Sequence, residues 1–190
     1  MIKKIFFFFI DTLQAIVFVA SIFILFYLFI AQPNQVNGRS MEPNFADKEL
    51  LLTDKISYHL RQPRRGEVVV FRAPPSEPCA EDECEYIKRI IGLPGETIMV
   101  SSGQVFINGL PLNESYLPAS LSIDPGSFLS QGKQYIIPSD YYILMGDNRP
   151  HSRDSREFGP IKKEAIVGKA FFVYWPPKAA GLVPAPRLAR

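Results

Sequence analysis

The chain has 190 residues, 21 of them basic and 19 acidic for a net charge of +2, and two cysteines. Charges of both signs are interspersed, which leaves no basic face for nucleic acid and no acidic tail. About 30 residues belong to an apolar N-terminus, so the remainder suffices for one domain of ordinary size with a small subdomain.

From Ala15 to Ala31 the only polar residue is Ser21, and the apolar run Ile5–Ile10 precedes it with Asp11, Thr12 and Gln14 between. A bilayer core takes about 20 mostly apolar residues, so one tilted span fits. Lys3 and Lys4 resemble the start of a cleavable signal peptide. A small-x-small site is missing, however, because Phe29 precedes Ala31 and Phe18 precedes Ala20 by two residues. The reading is a retained anchor over residues 1–31, with a buried core helix as the alternative. The positive-inside rule favours a short cytoplasmic N-terminus and an extracytoplasmic domain, although Arg39 and Lys48 follow the span closely. Asp11 is costly at the bilayer centre; a span centred between Ala15 and Ala31 moves it toward the interface, and no function is assigned to it.

Gln32–Asn37 reads as a linker, followed by the Gly/Pro-marked loop Gly38-Arg39-Ser40-Met41-Glu42-Pro43. Strands are expected at Glu49–Thr53 and Val68–Phe71, with Ser57–Pro63 an irregular connection. Cys79 and Cys84 close a short loop. An even count permits a disulfide outside the cytoplasm, with free thiols the alternative; a metal site lacks two further ligands, since His59 and His151 have no matching spacing. Tyr86–Ile91 is a strand whose alternation puts Tyr86, Lys88 and Ile90 on one face and Ile87, Arg89 and Ile91 on the other. Ser102-Gly103 and Asn108-Gly109 mark tight turns between strands. Residues 108–135 are turn-rich and read as an inserted subdomain. Strands resume at Tyr135–Ile137 and Tyr141–Met145; Lys162–Ile166 suits one helical turn and Ala170–Tyr174 a last strand. Residues 176–190 lack periodicity and are expected to be disordered. The expected fold is mainly β, an antiparallel domain over residues 32–175 behind one N-terminal helix.

Ser40 alone is weak, since a Gly-x-Ser loop is ordinarily just a loop. Lys88 alone is weaker, because lysines keep their head groups in water. An ordinary lysine is neutral only about 0.04% of the time at pH 7. Burial that lowers its pKa to near 8 makes about a tenth neutral, at a cost of about 3 kcal/mol. A serine with such a lysine is a known alternative to the Ser-His-Asp triad. The segment from Gly146 to Gly159 is either a solvated charged loop or a set of short polar groups and arginines that hold a catalytic amine in place.

Together these segments resemble the bacterial type I signal peptidases, or leader peptidases, over the span and roughly residues 35–174. Ser40-Met41-Glu42-Pro43 is similar to the family's nucleophile box, Arg65–Phe71 to its next strand, and Lys88–Glu96 to its lysine box. The run Gly146–Gly159, followed by Gly168-Lys169-Ala170, is similar to its last and most specific box. The resemblance implies that Ser40 is the nucleophile and Lys88 the general base, and later the acid for the leaving amine. It also implies that Ser152 orients the lysine, and that Asp154 and Arg156 form an ion pair near the site, with Asp147 and Arg149 opening the same box. Val36, Met41, Tyr86 and Ile87 match positions lining shallow pockets for small side chains. The implied function is removal of signal peptides from exported preproteins by a single-pass enzyme of the cytoplasmic membrane. Signal peptides and the bilayer are the expected partners, a monomer the expected state, and neither cofactor nor metal is expected.

The chain departs from the family pattern in places. Gly38 stands where some members carry a hydroxyl that helps hold the oxyanion, so the hole rests on backbone N–H groups, including that of Ser40. Asn44 replaces the commoner Thr, and Glu67 and Glu96 replace commoner aspartates. The nine residues from Ala31 to Ser40 reach at most about 30 Å, which keeps Ser40 near the membrane surface. Three other readings remain open. They are a repressor-type autoprotease, which has a DNA-binding segment where this chain has a span; a Ser-His peptidase using His151; and a non-catalytic anchored module.

Overall fold

The computed structural model describes residues 2–78, 84–119 and 121–184. Helix α1 spans Ile2–Phe29 and carries no polar stripe that would seat it on the domain; Phe8, Leu13, Val17 and Phe23 are all exposed. Its 28 residues make about 42 Å, more than the ~30 Å of a bilayer core. The segment Lys3–Leu25 is long and apolar enough to cross a membrane. It starts well before the span centred on Ala15–Ala31 and contains Asp11, because the helical run continues unbroken through Asp11, Thr12 and Gln14.

The expected linker is largely a strand. Ala31–Gln35 forms β1, paired antiparallel with β2 (Leu50–Asp54), although Pro33 and its amide residues carry little strand preference. A side-chain ladder holds it there: Asn34 accepts from the Thr53 hydroxyl at 2.7 Å and donates to Glu85 at 2.7 Å. Domain structure therefore begins two residues after the helix ends.

After the short helix α2 (Ser57–Leu60) come β3 (Val68–Arg72) and β4 (Glu85–Gly92). The smaller strands β5 (Thr97–Ser101), β6 (Gln104–Ile107), β7 (Leu110–Pro111) and β8 (Tyr135–Ile136) follow. The chain then runs through β9 (Tyr141–Met145), helix α3 (Ser155–Phe158), β10 (Ile161–Lys162), β11 (Ile166–Trp175) and β12 (Gly181–Leu182). The main sheet has the order β1-β2-β11-β3-β4-β9-β10, with β12 on β11; the small sheet has the order β7-β6-β5-β8. Every pairing is antiparallel.

Alternation along β3 divides the core. Val68 and Val70 pack with Val36, Met41, Phe45, Leu51 and Ile87 on one face, while Val69 and Phe71 pack with Ile90, Tyr142 and Leu144 on the other. A third cluster joins Ile91, Ile143 and Met145 of the main sheet to Ile98, Val100 and Val105 of the small one. The small sheet begins at Thr97, so the subdomain is larger than the expected 108–135. Its tight turns are the expected ones: Ser102-Gly103 and Asn108-Gly109 both take positive φ at the two central positions.

Two further expectations change. Ser57–Pro63 starts with a helical turn, because the Asp54 carboxylate accepts from the N–H groups of Ile56 and Ser57 at 2.9 and 3.0 Å. The chain beyond Trp175 is ordered as far as Pro184: β12 pairs with Phe172 and Val173, and the Val183 N–H donates to the Phe171 carbonyl at 2.9 Å. Residues 185–190 lie outside the described residues. Truncation after Pro177 should therefore destabilise the domain by about 1–2 kcal/mol, from lost burial of Val183 and lost ladder bonds. Thermal melting of the detergent-solubilised protein checks this.

Candidate active site

Ser40 lies in a loop held at both ends. Met41 and Phe45 are buried anchors, and the Asn44 and Phe45 N–H groups donate to the Met41 carbonyl at 3.1 and 3.0 Å. Asn148 holds the backbone on either side of the serine hydroxyl. Its N–H donates to the Ser40 carbonyl at 3.0 Å and its side-chain amide to the Arg39 carbonyl at 2.9 Å. Gly38 has φ +88° and its N–H donates to Asp47 at 2.7 Å. That N–H is occupied, so Gly38 shapes the turn and offers no donor to an oxyanion. The Ser40 N–H has no acceptor among the described residues.

Lys88 leaves β4 on the Tyr86 and Ile90 side, as alternation requires, and its Nζ stands 5.6 Å from the Tyr86 ring centre. Nζ is in hydrogen-bond contact with Ser40 Oγ at 2.6 Å. Lys88 is only 5% exposed, and burial lowers its pKa from 10.5 to about 8, against the opposing pull of Asp154 and Asp147. An amine so placed is neutral in part near neutral pH and sits within reach of the hydroxyl proton.

The segment after β9 packs this pair from behind. Gly146 is required there: a Cβ on it would overlap the Ser152 hydroxyl and the Ser40 carbonyl. Ser152 lies against the nucleophile loop, yet its Oγ is buried without a hydrogen-bond partner among the described residues. The expected bond from Ser152 to Lys88 is thus absent from this arrangement, in which the amine turns to Ser40. Asp154 and Arg156 make the expected ion pair, with Arg156 Nε to Asp154 Oδ1 at 2.9 Å and Nη2 to Oδ2 at 2.9 Å. Asp154 also accepts the Gly146 N–H at 3.0 Å and caps α3, while Arg156 Nη2 donates to the Arg149 and Ser152 carbonyls. Asp147 and Arg149 do not pair with each other. Asp147 receives a two-pronged bond from Arg89 (2.8 and 2.6 Å) and one from Asn44 (2.9 Å). Arg149 binds Glu114 and donates to the Tyr116 hydroxyl at 3.0 Å. Burial pushes the Tyr116 hydroxyl pKa up.

Arg89, Glu114, Tyr116 and Asn148 thus surround the pair without having been singled out in the sequence, and Asn44, noted there only as a departure from the family pattern, donates to Asp147. Arg89 had a visible signal, a charge facing inward beside Lys88 in a strand of isoleucines. Glu114 and Tyr116 sit in the turn-rich excursion and had none. The substituted glutamates keep partners: Glu67 binds Arg61 at 2.7 Å and Tyr58 at 3.1 Å, and Glu96 binds Arg65.

A cleft of about 390 Å³ opens on Ser40 and Lys88. All four expected pocket residues, Val36, Met41, Tyr86 and Ile87, line it together with Pro78, Cys84, Glu85 and Arg153. Cys84 is disulfide-bonded; Cys79, its expected partner, lies outside the described residues. His151 is exposed, and the hydrogen-bond partner of the Ser40 hydroxyl among the described residues is Lys88.

A serine and a desolvated lysine thus share one cleft, backed by the buried Arg89–Asp147 and Arg156–Asp154 pairs. The family described as "Signal peptidase, peptidase S26" matches residues 9–175. A Synechocystis sp. protein named "Probable signal peptidase I-2" is 38% identical over 155 residues, 82% of this chain and 68% of that protein. "Signal peptidase I" of Leptolyngbya laminosa is 36% identical, covering 80% and 73%. "Signal peptidase IB" of Staphylococcus aureus is 32% identical, covering 87% and 91%. A crystal structure of a signal peptidase I from Enterococcus faecalis, 27% identical, covers 57% of this chain and 97% of its own with a TM-score of 0.44. The chain belongs to the signal peptidase family, and it is a peptidase of mainly β architecture.

Burial of Lys88 has a cost that depends on pH. Its folded pKa, about 8, lies below the unfolded 10.5, so folding sheds a proton between those values and stability rises with pH across that window. Below pH 8 the cost stands at about 3 kcal/mol. Lys88→Met should therefore raise stability at pH 7 by up to that amount, and the gain should shrink toward pH 10.5; denaturant unfolding of both proteins at several pH values reads it.

Proposed function

We propose that this chain is a membrane-anchored endopeptidase that removes signal peptides from exported preproteins, with Ser40 as nucleophile and Lys88 as general base. The observation that carries the reading is the 2.6 Å contact between Lys88 Nζ and Ser40 Oγ at a lysine held near pKa 8 by burial. Neutral Lys88 takes the Ser40 proton as Oγ attacks the scissile carbonyl. The Ser40 N–H donates to the oxygen of the tetrahedral intermediate. Protonated Lys88 then gives its proton to the leaving amine, and the acyl-enzyme is released when Lys88 activates a water in the same way. Ser152 acts as a positioning residue: its buried hydroxyl beside the loop is a partner for the amine once Ser40 is acylated and no longer receives it.

Substrate binding by strand pairing is supported by an open edge. Strand β4 pairs with β3 along Glu85–Arg89, but with β9 only from Arg89 onward. Among the described residues no strand covers the second edge of Glu85–Lys88, which faces the cleft, and an extended peptide can pair there. Val36, Met41 and Ile87 give that cleft apolar walls, suited to small residues before the cut.

The apolar helix supports membrane attachment, and β1 starts so soon after it that the cleft stays near the lipid surface. We take the helix as the only span, with its N-terminus cytoplasmic, the domain on the opposite face, and a monomer as the working state. Ser40→Ala and Lys88→Ala should each lower kcat/KM for a detergent-solubilised preprotein by at least about a thousandfold. The wild-type rate should climb about tenfold per pH unit and level off above pH 8. Near-normal turnover by either variant, or a flat pH profile between 6 and 9, contradicts the mechanism.

A further inference from the structure

Arg153 follows Ser152 directly, and nothing in the mechanism uses it. It lines the cleft beside Tyr86, with its side chain 60% exposed, while the Glu77 side chain behind it is fully buried. Both Glu77 oxygens accept from Arg153 Nε, at 2.9 and 2.8 Å. The two Nη groups have no acceptor among the described residues, and Glu77 itself does not line the cleft. The guanidinium is therefore pinned by its near end, with its outer donors unpaired among the described residues on a side chain that lines the cleft. The wall carrying Glu77 is itself fixed: the Ala73 N–H donates to the Cys84 carbonyl at 2.8 Å, and the Glu77 N–H to the Pro74 carbonyl at 2.9 Å.

Among the described residues, the other charged side chains on the cleft are Lys88 and Glu85. Lys88, with a pKa of about 8, is mostly protonated at pH 7 and adds positive charge there. Glu85 also brings a negative charge to the cleft, since its Oε2 accepts from the neutral amides of Asn34 at 2.7 Å and Gln32 at 3.3 Å and from no cation among the described residues. The Nη groups of Arg153 are thus donors without an acceptor among the described residues, on a guanidinium already ordered by Glu77, so binding an anion there costs little side-chain freedom.

We infer that Arg153 is a specificity-determining residue: it favours an acidic side chain, and disfavours a basic one, in the substrate segment that crosses the cleft beside Tyr86. The inference rests on the endopeptidase reading above and names a feature of its substrates. It is separate from the apolar walls, which select for size; Arg153 selects for sign. Because the group is largely exposed, the effect is modest, about three- to tenfold between an acidic and a basic residue.

The test uses the full-length protein in detergent and preproteins carrying Asp, Asn or Lys at each position flanking the cut in turn. The readout is the ratio of kcat/KM for Asp over Lys within each enzyme, so a general loss of activity in a variant cancels. At one position the wild-type ratio should exceed about threefold and fall toward one at about 0.5 M salt. Arg153→Lys should keep the preference, Arg153→Ala flatten it and Arg153→Glu invert it. A wild-type ratio near one at every position, or an unchanged ratio in Arg153→Glu, overturns the inference, and the first of these needs no variant. Brisk cleavage of the Asn substrates with a flat ratio sinks this inference alone. No cleavage of any substrate sinks the endopeptidase reading, and this one with it.

Discussion

A primary amine becomes a usable base near neutral pH only where water is kept from it. The contact between Lys88 and Ser40 therefore depends on packing before it depends on chemistry. Lys88 emerges from a strand flanked on both sides by apolar clusters, with the Ser40 loop closing over its end. Desolvation sets the pKa, and the nearby carboxylates of Asp154 and Asp147 partly oppose it. Had those carboxylates been free, their charge would hold the proton on the amine. Each is instead tied to an arginine, so the local charge is largely balanced.

Those ion pairs also do mechanical work. Arg89–Asp147 and Arg156–Asp154 are buried, where losing one partner leaves an unpaired charge and costs about 3–5 kcal/mol. Arg89–Asp147 binds the segment after β9 to β4 and, through Asn44, to the Ser40 loop, while Arg156–Asp154 braces that segment internally. Asn148 completes the connection by holding the carbonyls of Arg39 and Ser40. Three stretches distant in sequence thus meet with little slack, which a hydroxyl and an amine at hydrogen-bond distance require. The substitution of Asn at position 44 is accommodated because its amide supplies a donor to Asp147.

The cleft follows from sheet geometry. β9 pairs with β4 only from Arg89 onward, and the edge that no strand covers among the described residues is where Ser40 and Lys88 sit. A sheet edge ordinarily needs protection; here the Ser40 loop, Pro78, Cys84 and Arg153 line the cleft beside it. The path from helix α1 into β1 then fixes how far this edge stands from the apolar helix, with no flexible tether between.

Much of this was legible in the residues. The apolar helix, the strands around Val68–Phe71 and Tyr86–Ile91, the two Gly-containing turns and the mainly β class follow from local periodicity and turn chemistry, which act over a few residues. Motif order drew attention to Ser40, Lys88 and the Gly146–Gly159 segment, and family membership follows from the same residues. Strand β1 was hidden, because polar residues with a proline pair only when a partner ladder is present. The order beyond Trp175 was hidden for the same reason. Glu114, Tyr116, Asn148 and the Glu77–Arg153 pair were hidden too, since their partners lie far along the chain and no local pattern marks such contacts. Local sequence thus determined the apolar helix, most of the strands and the family to which the chain belongs. Tertiary structure alone decided that the amine is dry, which hydroxyl it meets and which charges face the cleft, because desolvation and distance exist only once separate segments pack together.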